Sequence, residues 1–302
     1  MNTPLVSICC ITYNHAPFIR QALDGFLMQK CVDFEILIHD DCSTDGTTEI
    51  IREYAEKYPD IIKPLYETEN QYSKGVWVDG FNYRRAKGKY IAYCEGDDYW
   101  TDPLKLQKQV DFMESYPDYS VCFHTFRNHI VQTDEYIEPA PTQLLRDNGN
   151  PDGMDITMDM YFRKWYTQPM TMLFRLSSFS FEWQKQYKYY RDMHEIYHLL
   201  KAGKCRLLNF DGGVRNMHAG GIASEISQER YCELSLPMDG EFYRLNKHEA
   251  GAKRTFMDTL QSAVNVYAVS NKWLAIKCAF KHMWISHYYK TFLKNLKYIT
   301  TK

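Results

Sequence analysis

The stretch Tyr90-Ile91-Ala92-Tyr93-Cys94-Glu95-Gly96-Asp97-Asp98 runs five apolar, strand-forming residues straight into three carboxylates. Carboxylates this close repel one another, so they are tolerable only when exposed, paired with bases, or neutralised by a divalent cation. A hard cation held there could clamp a diphosphate. The same letters also describe an acidic turn ahead of a helix, and the flanking sequence decides between the two.

Upstream, strand and helix patterns alternate. Residues 5–11 form a continuous β-prone run, and residues 17–29 place Phe18, Ile19, Ala22, Leu23, Phe26 and Leu27 at helical spacing. Residues 34–39 predict a buried strand, 47–58 a helix, 61–66 a strand, 76–86 a helix and 90–94 a fourth strand. The alternation predicts an α/β domain with a mostly parallel, Rossmann-like sheet covered by helices on both faces.

Downstream, Asp102 and Pro103 suit an N-cap and first turn for a helix to about residue 116, and 120–126 predict another strand. Pro139, Pro141, Asn148, Gly149, Pro151 and Gly153 then predict a long irregular segment from 128 to about 164. A strand over 169–174, helices over 179–187 and 192–202, a short strand over 205–208 and a glycine-rich loop from Gly212-Gly213 to Gly220-Gly221 complete the main domain. Its expected span is 1–222, with halves of about 1–100 and 101–222. Residues 223–302 carry helical patterns only and form a C-terminal appendage.

The formal net charge of −2 over 302 residues gives no general attraction for nucleic acid. Nine cysteines, an odd number without a C-x-x-C pair, favour reduced thiols over a disulfide framework or zinc site. Met1-Asn2-Thr3-Pro4 carries no basic region of a signal peptide, and no apolar run reaches the ~18 residues of a spanning helix. These features predict a cytoplasmic chain, at most peripheral on the inner face of the cell membrane.

In open parallel sheets, ligands bind outside the carboxyl ends of the strands. Three polar clusters occupy such ends: Thr12-Tyr13-Asn14-His15, Asp40-Asp41-Cys42-Ser43-Thr44-Asp45-Gly46-Thr47, and Glu95 to Asp98. They should converge into one pocket for a polar, phosphate-bearing molecule with a planar base. Tyr13 could stack on a nucleobase, and Asp41 could accept from an imide N–H such as that of uracil. Asp45-Gly46-Thr47 alone reads as a turn and helix cap.

In this order and at these intervals, the segments Val6 to Asn14, Phe34 to Thr47 and Gly88 to Asp98 resemble the family 2 glycosyltransferases of the GT-A fold, over roughly residues 4–222. The resemblance implies inverting transfer from a nucleotide sugar, most often a UDP-sugar, assisted by Mg²⁺ or Mn²⁺, to a hydroxyl of a glycan or lipid-linked acceptor in surface polysaccharide biosynthesis. It implies donor binding by Thr12, Tyr13, Asn14, Asp41, Glu95, Asp97 and Asp98. Asp97 would face the metal, with Asp98 or Glu95 supporting metal or ribose; Glu95 stands where the family often has Asp. The catalytic base falls on Asp192 in Tyr190-Arg191-Asp192-Met193-His194-Glu195, with Glu195 as runner-up. Asn216-Met217-His218-Ala219-Gly220-Gly221 also matches, giving His218 a metal or diphosphate role, although Asn216 stands where many members have arginine and Arg215 is the adjacent substitute. Donor choice would fall to the 128–168 segment and the surroundings of Trp100.

Two other functions fit a nucleotide-binding sheet. A sugar-phosphate nucleotidyltransferase would need a glycine-rich, lysine-bearing loop near the first strand, where this chain has Thr12-Tyr13-Asn14-His15 instead. A non-catalytic nucleotide-sugar-binding protein would have no use for Asp97, Asp98 and Asp192 together. The tail 272–302 holds seven lysines, no Asp or Glu, and eight large apolar residues from Trp273 to Leu293. That pattern suits either a helical cap on the catalytic domain or an amphipathic surface for anionic membrane.

Overall fold

A computed structural model describes residues 3–147, 149–163, 167–221 and 226–302. The chain divides into two compact units, one formed by residues 1–161, 165–184 and 191–218, the other by 162–164, 185–190 and 219–302. The expected boundary at 222 lies outside the described residues, as do Asn148 and Lys164, with which the irregular segment was to be punctuated and to end.

The first unit opens with β1 (Val6–Thr12), α1 (Ile19–Leu27), β2 (Phe34–Asp40), α2 (Thr47–Lys57), β3 (Ile62–Tyr66), α3 (Asp79–Arg85) and β4 (Tyr90–Tyr93). β5 (Tyr99–Trp100), α4 (Lys105–Ser115), β6 (Tyr119–Ile130), β7 (Glu135–Ile137), α5 (Ala140–Asp147), β8 (Met154–Asp155) and α6 (Met158–Arg163) follow, the last two residues of α6 being assigned to the second unit. β9 (Leu173–Arg175), α7 (Glu182–Lys185, of which Lys185 is assigned to the second unit), α8 (Asp192–Ala202) and β10 (Lys204–Met217) complete it.

The sheet runs in the order β3-β2-β1-β4-β9-β6-β10-β5, with β7 beside β6 and β8 beside β10. β3, β2, β1 and β4 are mutually parallel, and β10 is parallel to β6. β9 is antiparallel to both β4 and β6, so the sheet is mixed beyond β4. Two antiparallel steps restore direction: β6 and β10 point the same way as β1, β2 and β4. All their carboxyl ends therefore lie at one edge of the sheet. Pro64 sits in the edge strand β3, where its missing N–H is tolerated.

Helix α1 turns Ile19, Ala22, Leu23 and Phe26 into a core shared with Val6, Ile8, Ile36, Tyr90, Trp100 and Leu106. Fully burying an aliphatic or aromatic side chain contributes roughly 1.5–3 kcal/mol, so each of these residues adds to the unit's cohesion.

The structure corrects several sequence expectations. Residues 128–164 are not one irregular segment: β6 extends to Ile130, and β7, α5, β8 and α6 follow. Pro141 falls in the first turn of α5, where a proline costs no helical hydrogen bond, so it starts the helix instead of breaking it. Gly212-Gly213 is not a loop but part of β10, where register shifts between Leu208 and Val214 mark bulges. A Cβ at Gly212 would lie 2.7 Å from the His124 ring, so the glycine serves close packing. The strand expected at 169–174 is a 3-10 turn over Pro169–Thr171 followed by β9, and the helix expected at 179–187 shrinks to α7. The helix expected from 76 begins at Asp79. Asp102 caps a turn through Leu104 N–H at 2.9 Å, and α4 itself starts at Lys105.

The second unit holds α9 (Gln228–Leu245), α10 (Ala250–Ser270), α11 (Lys272–Ser286) and α12 (Tyr289–Thr301). α10 packs against the other three, with Phe256, Leu260, Val264 and Tyr267 in a core shared with Ala275, Cys278, Ile285 and Ile299. Among the described residues no helix is long and apolar enough to cross a membrane. All nine cysteines are free, and seven of them are buried.

Lys105 is the costly residue of the first unit's core. It is fully buried, its Nζ has no hydrogen-bond partner among the described residues, and it lies 3.7 Å from the centroid of the Trp100 ring. Loss of hydration lowers its pKa to about 7. Between about pH 7 and the ordinary lysine range the unfolded chain holds the extra proton, so stability rises with pH across that window. Lys105→Met should raise the urea midpoint at pH 7 and flatten its increase between pH 7 and 10; an unchanged midpoint and slope would mean that the ammonium carries no burial cost.

Candidate active site

The common carboxyl edge brings the three polar clusters together through short backbone links. Asp41 N–H donates to the Thr12 carbonyl at 2.9 Å, and Gly96 N–H to the Ile11 carbonyl at 2.9 Å. The loop after β1 is held against the loop after β2: Asn14 N–H donates to Ser43 Oγ and Thr44 N–H to Asn14 Oδ1, at 2.9 and 2.8 Å. Asn14 adopts a left-handed φ of 55°, which asparagine tolerates better than most residues. Asp45 binds Ala16 N–H and the Thr47 hydroxyl, and Asp40 takes the hydroxyls of Ser43 and Thr48. These two acids fasten the loops.

Tyr13 is 45% exposed at the mouth of this edge, open on one side for stacking. Asp41 is buried, and its two oxygens accept Gln71 N–H at 2.8 Å and Tyr72 N–H at 2.9 Å. It thereby anchors the short 3-10 turn Tyr72–Lys74. Each carboxylate oxygen keeps a further lone pair for a ligand donor.

The acidic turn treats its three carboxylates differently. Asp97 Oδ2 lies 3.1 Å from His218 Nε2 and 3.7 Å from His15 Nε2. Burial would raise the Asp97 carboxyl, but the hydrogen bond from His218 and the nearby imidazoles outweigh it and hold the group below its ordinary value. Asp98 turns inward: Oδ1 accepts Asn216 N–H at 2.9 Å, and burial followed by the Asp97 charge pushes its pKa well up. Glu95 is pushed up by burial and by the charges of Asp98, Asp97, Asp192 and Asp79, and its Oε2 is buried without a hydrogen-bond partner among the described residues. The structure thus joins Asp97 to His218 and sets Asp98 against the end of β10. Trp100, expected near the donor sugar, is buried beside Phe26 and donates its indole N–H to the Met170 carbonyl.

Asp192 is the first residue of α8, and the N-cap is Arg191, whose N–H donates to His194 Nδ1 at 3.1 Å. The plain capping role is therefore taken by others. Asp192 Oδ1 accepts only the adjacent Met193 N–H among the hydrogen bonds described, and the residue stays open to solvent. Loss of hydration, then the Asp79 charge, raise its pKa, while the Met193 N–H, Arg191 and Arg215 oppose. Glu195, the other carboxylate on α8, is buried and receives the Tyr83 hydroxyl at 2.9 Å.

Sequence reasoning missed Asp79 and the reach of Arg215, and it placed His15 in the first polar cluster without pairing it with Asp97. Asp79 was hidden inside a helix expected to start three residues earlier; as the first residue of α3 it faces Glu95, Asp192 and Glu195 electrostatically and hydrogen-bonds Tyr93. Arg215, next to the anomalous Asn216, acts on both Asp98 and Asp192. Its position beside the departure from the family pattern was the available signal.

Among known proteins, the family model described as Glycosyl transferase family 2 matches residues 7–193. An uncharacterized protein of Mycobacterium tuberculosis is 46% identical over 123 residues, 40% of this chain and 35% of that protein. The Escherichia coli UDP-Glc:alpha-D-GlcNAc-diphosphoundecaprenol beta-1,3-glucosyltransferase WfaP is 34% identical over 131 residues, 43% of this chain and 48% of its own. The chain thus spans less than half the length of these curated relatives. Among solved structures, Staphylococcus aureus TarS 1-349 in complex with UDP-GlcNAc superposes with a TM-score of 0.64 at 16% identity, covering 93% of this chain and 81% of that one. The mannosyltransferase PcManGT of Pyrobaculum calidifontis, in complex with GDP-Man and Mn²⁺, gives 0.56 at 18% identity, covering 100% and 87%. These likenesses establish the GT-A type of fold.

Gly96 is the hinge of the acidic turn: a Cβ there would lie 2.8 Å from Thr12 Oγ1 and 2.9 Å from Ile19 Cδ1. Gly96→Ala should cost about 1–3 kcal/mol of stability through overpacking, read as a lowered urea midpoint; an unchanged midpoint would show that the turn is not pressed against β1.

Proposed function

The chain belongs to glycosyl transferase family 2 and is a glycosyltransferase, and from that premise we propose that it transfers a sugar from a UDP-sugar, with inversion, to a hydroxyl of a glycan or lipid-linked acceptor during assembly of a surface polysaccharide. The observation that carries this reading is the grouping at the carboxyl edge of the sheet: exposed Tyr13 near buried Asp41, an acidic turn with Asp97 beside His218, and a separate exposed carboxylate at Asp192 whose charge reaches Glu95. The uridine preference draws support from WfaP, named for UDP-Glc, and from TarS, solved with UDP-GlcNAc. The polysaccharide setting draws support from WfaP and from the teichuronic acid biosynthesis relative TuaG of Bacillus subtilis. A cytoplasmic location, with catalysis peripheral to the inner membrane face, suits such an acceptor.

A divalent cation fits the residues present. Asp97 and His218 offer an oxygen and a nitrogen 3.1 Å from one another, and among the described residues a buried oxygen of Glu95 has no hydrogen-bond partner. Among the described residues no three His, Cys, Asp or Glu side chains converge as a ready cage, so Mg²⁺ or Mn²⁺ would complete its shell with donor phosphates and water, as Mg²⁺ characteristically does. When bound, such an ion offsets the charge of the leaving diphosphate. In this assignment Asp97 and His218 would hold the ion, Asp98 and Asn216 fix the turn, and Thr12, Asn14 and Glu95 would line the ribose and diphosphate side. Tyr13 stacks on the base, and Asp41 accepts its imide N–H.

Asp192 acts as the general base. It takes the proton of the acceptor hydroxyl as that oxygen bonds to the anomeric carbon, while the bond from that carbon to the diphosphate oxygen breaks and the nucleoside diphosphate leaves with the electron pair. Single displacement inverts the anomeric centre. Loss of hydration, and after it the Asp79 charge, raise the Asp192 pKa, which makes it a stronger base than a free aspartate.

Asp192→Asn should lower transfer by about 10²–10⁴-fold while UDP-sugar binding, followed by calorimetry, is retained; Asp97→Asn should weaken Mn²⁺-dependent binding itself. Equal loss of donor affinity in both variants would contradict this division. Asp79→Asn removes a like charge that holds the Asp192 pKa up, so the acid limb of kcat/KM should move to lower pH. A limb that stayed in place would remove Asp79 from the tuning of the base.

A further inference from the structure

The second unit presents a surface that the transfer reaction does not use. On α11, Trp273, Lys277, Phe280 and Trp284 recur at intervals of four, three and four residues and so share one helix face. Trp273 is 67% exposed, Phe280 54% and Trp284 72%. The opposite face, Ala275, Cys278, Ala279 and Ile285, is buried in the helical core. The stripe continues onto α12, because the Phe280 ring lies 6.1 Å from that of Phe292, which in turn lies 6.1 Å from Tyr289. Tyr288, Tyr289 and Leu293 are exposed as well. Large apolar side chains standing together in water mark an interaction surface; scattered single ones would not.

Charge selects the partner. Residues 272–302 carry seven lysines and no Asp or Glu. On α12, Lys290, Lys294 and Lys297 are exposed along one side, and on α11 Lys277 and Lys281 flank the tryptophans. A second copy of this face would bring lysine against lysine, which opposes self-pairing. An anionic lipid surface meets both requirements: tryptophan and tyrosine rings settle at the headgroup level, and lysine stems lie along the apolar boundary with their ammonium groups among the phosphates. No described helix can span the bilayer, so binding would be parallel to the surface.

We propose that the Trp273–Phe280–Trp284 face of α11, continued by Tyr289 and Leu293 of α12 and ringed by lysines, docks the protein on an anionic membrane surface. Lipid binding is read without donor or acceptor, so its failure leaves the transferase reading standing, and a failure of transfer leaves the docking intact.

The test is co-sedimentation of the full chain with phosphatidylcholine vesicles containing or lacking phosphatidylglycerol. Pelleting with the anionic vesicles and little with the neutral ones is expected. Trp273→Ser/Trp284→Ser should reduce it at least about tenfold, through loss of interfacial apolar burial. Lys277→Glu/Lys281→Glu should do the same, since each lysine near an anionic surface contributes about a fivefold factor. Circular dichroism and melting confirm that both variants are folded, since all four side chains are exposed. Negligible pelleting of the unaltered chain, or pelleting unchanged in both variants, overturns the proposal. So does concentration-dependent self-association that the tryptophan variant abolishes without any vesicle binding, which would assign the face to a second copy.

Discussion

Like charges crowded at one strand end impose the constraint around which the catalytic unit is arranged. Glu95, Asp97 and Asp98 follow β4 within five residues, and the three are relieved unequally. His15, after β1, and His218, after β10, approach Asp97; the backbone of Asn216 in β10 supplies a donor to Asp98. Glu95 is left with a buried oxygen that has no hydrogen-bond partner among the described residues. Such orphaned polar atoms are costly, of order 1–3 kcal/mol, and in a ligand-binding cleft they are the places where a ligand returns the lost interaction.

That arrangement depends on strand direction. β9 enters antiparallel between β4 and β6, so β6 and then β10 emerge pointing the same way as β1 and β4. His218 consequently reaches the acidic turn from 121 residues away in sequence. The glycines of β10 allow the strand to pass close to His124 and Met170 on its way there. Packing and chemistry are thus served by the same strand.

The second carboxylate system, on α8, is separated from the first by environment more than by residue type. Glu195 is buried against the Tyr83 hydroxyl, while Asp192, three residues earlier, is exposed, its pKa raised by loss of hydration and then by the Asp79 charge. Two acids one helical turn apart differ in environment because one faces the core and the other the surface. Asp79 joins them from α3 and adds a like charge.

Periodicity in the sequence was sufficient for the first half of the domain, because buried parallel strands and amphipathic helices write their burial into local composition: β1, α1, β2, α2, β3 and β4 fall within a few residues of where the apolar pattern puts them, and α8 spans the expected 192–202. Motif order placed the polar clusters on strand ends and so assembled the cleft. What the sequence could not decide were contacts between distant segments. Pro141 as a helix starter, Gly212 as a packing residue, Asp79 as a neighbour of Asp192, and the inward turn of Asp98 onto Asn216 all depend on which surface the rest of the chain brings up against them. A proline or glycine signals a break equally well whether it ends an element or lets two approach, and a carboxylate reads the same whether it meets a backbone amide or water; only the tertiary structure distinguishes these, because burial and hydrogen-bond partners are properties of position in space.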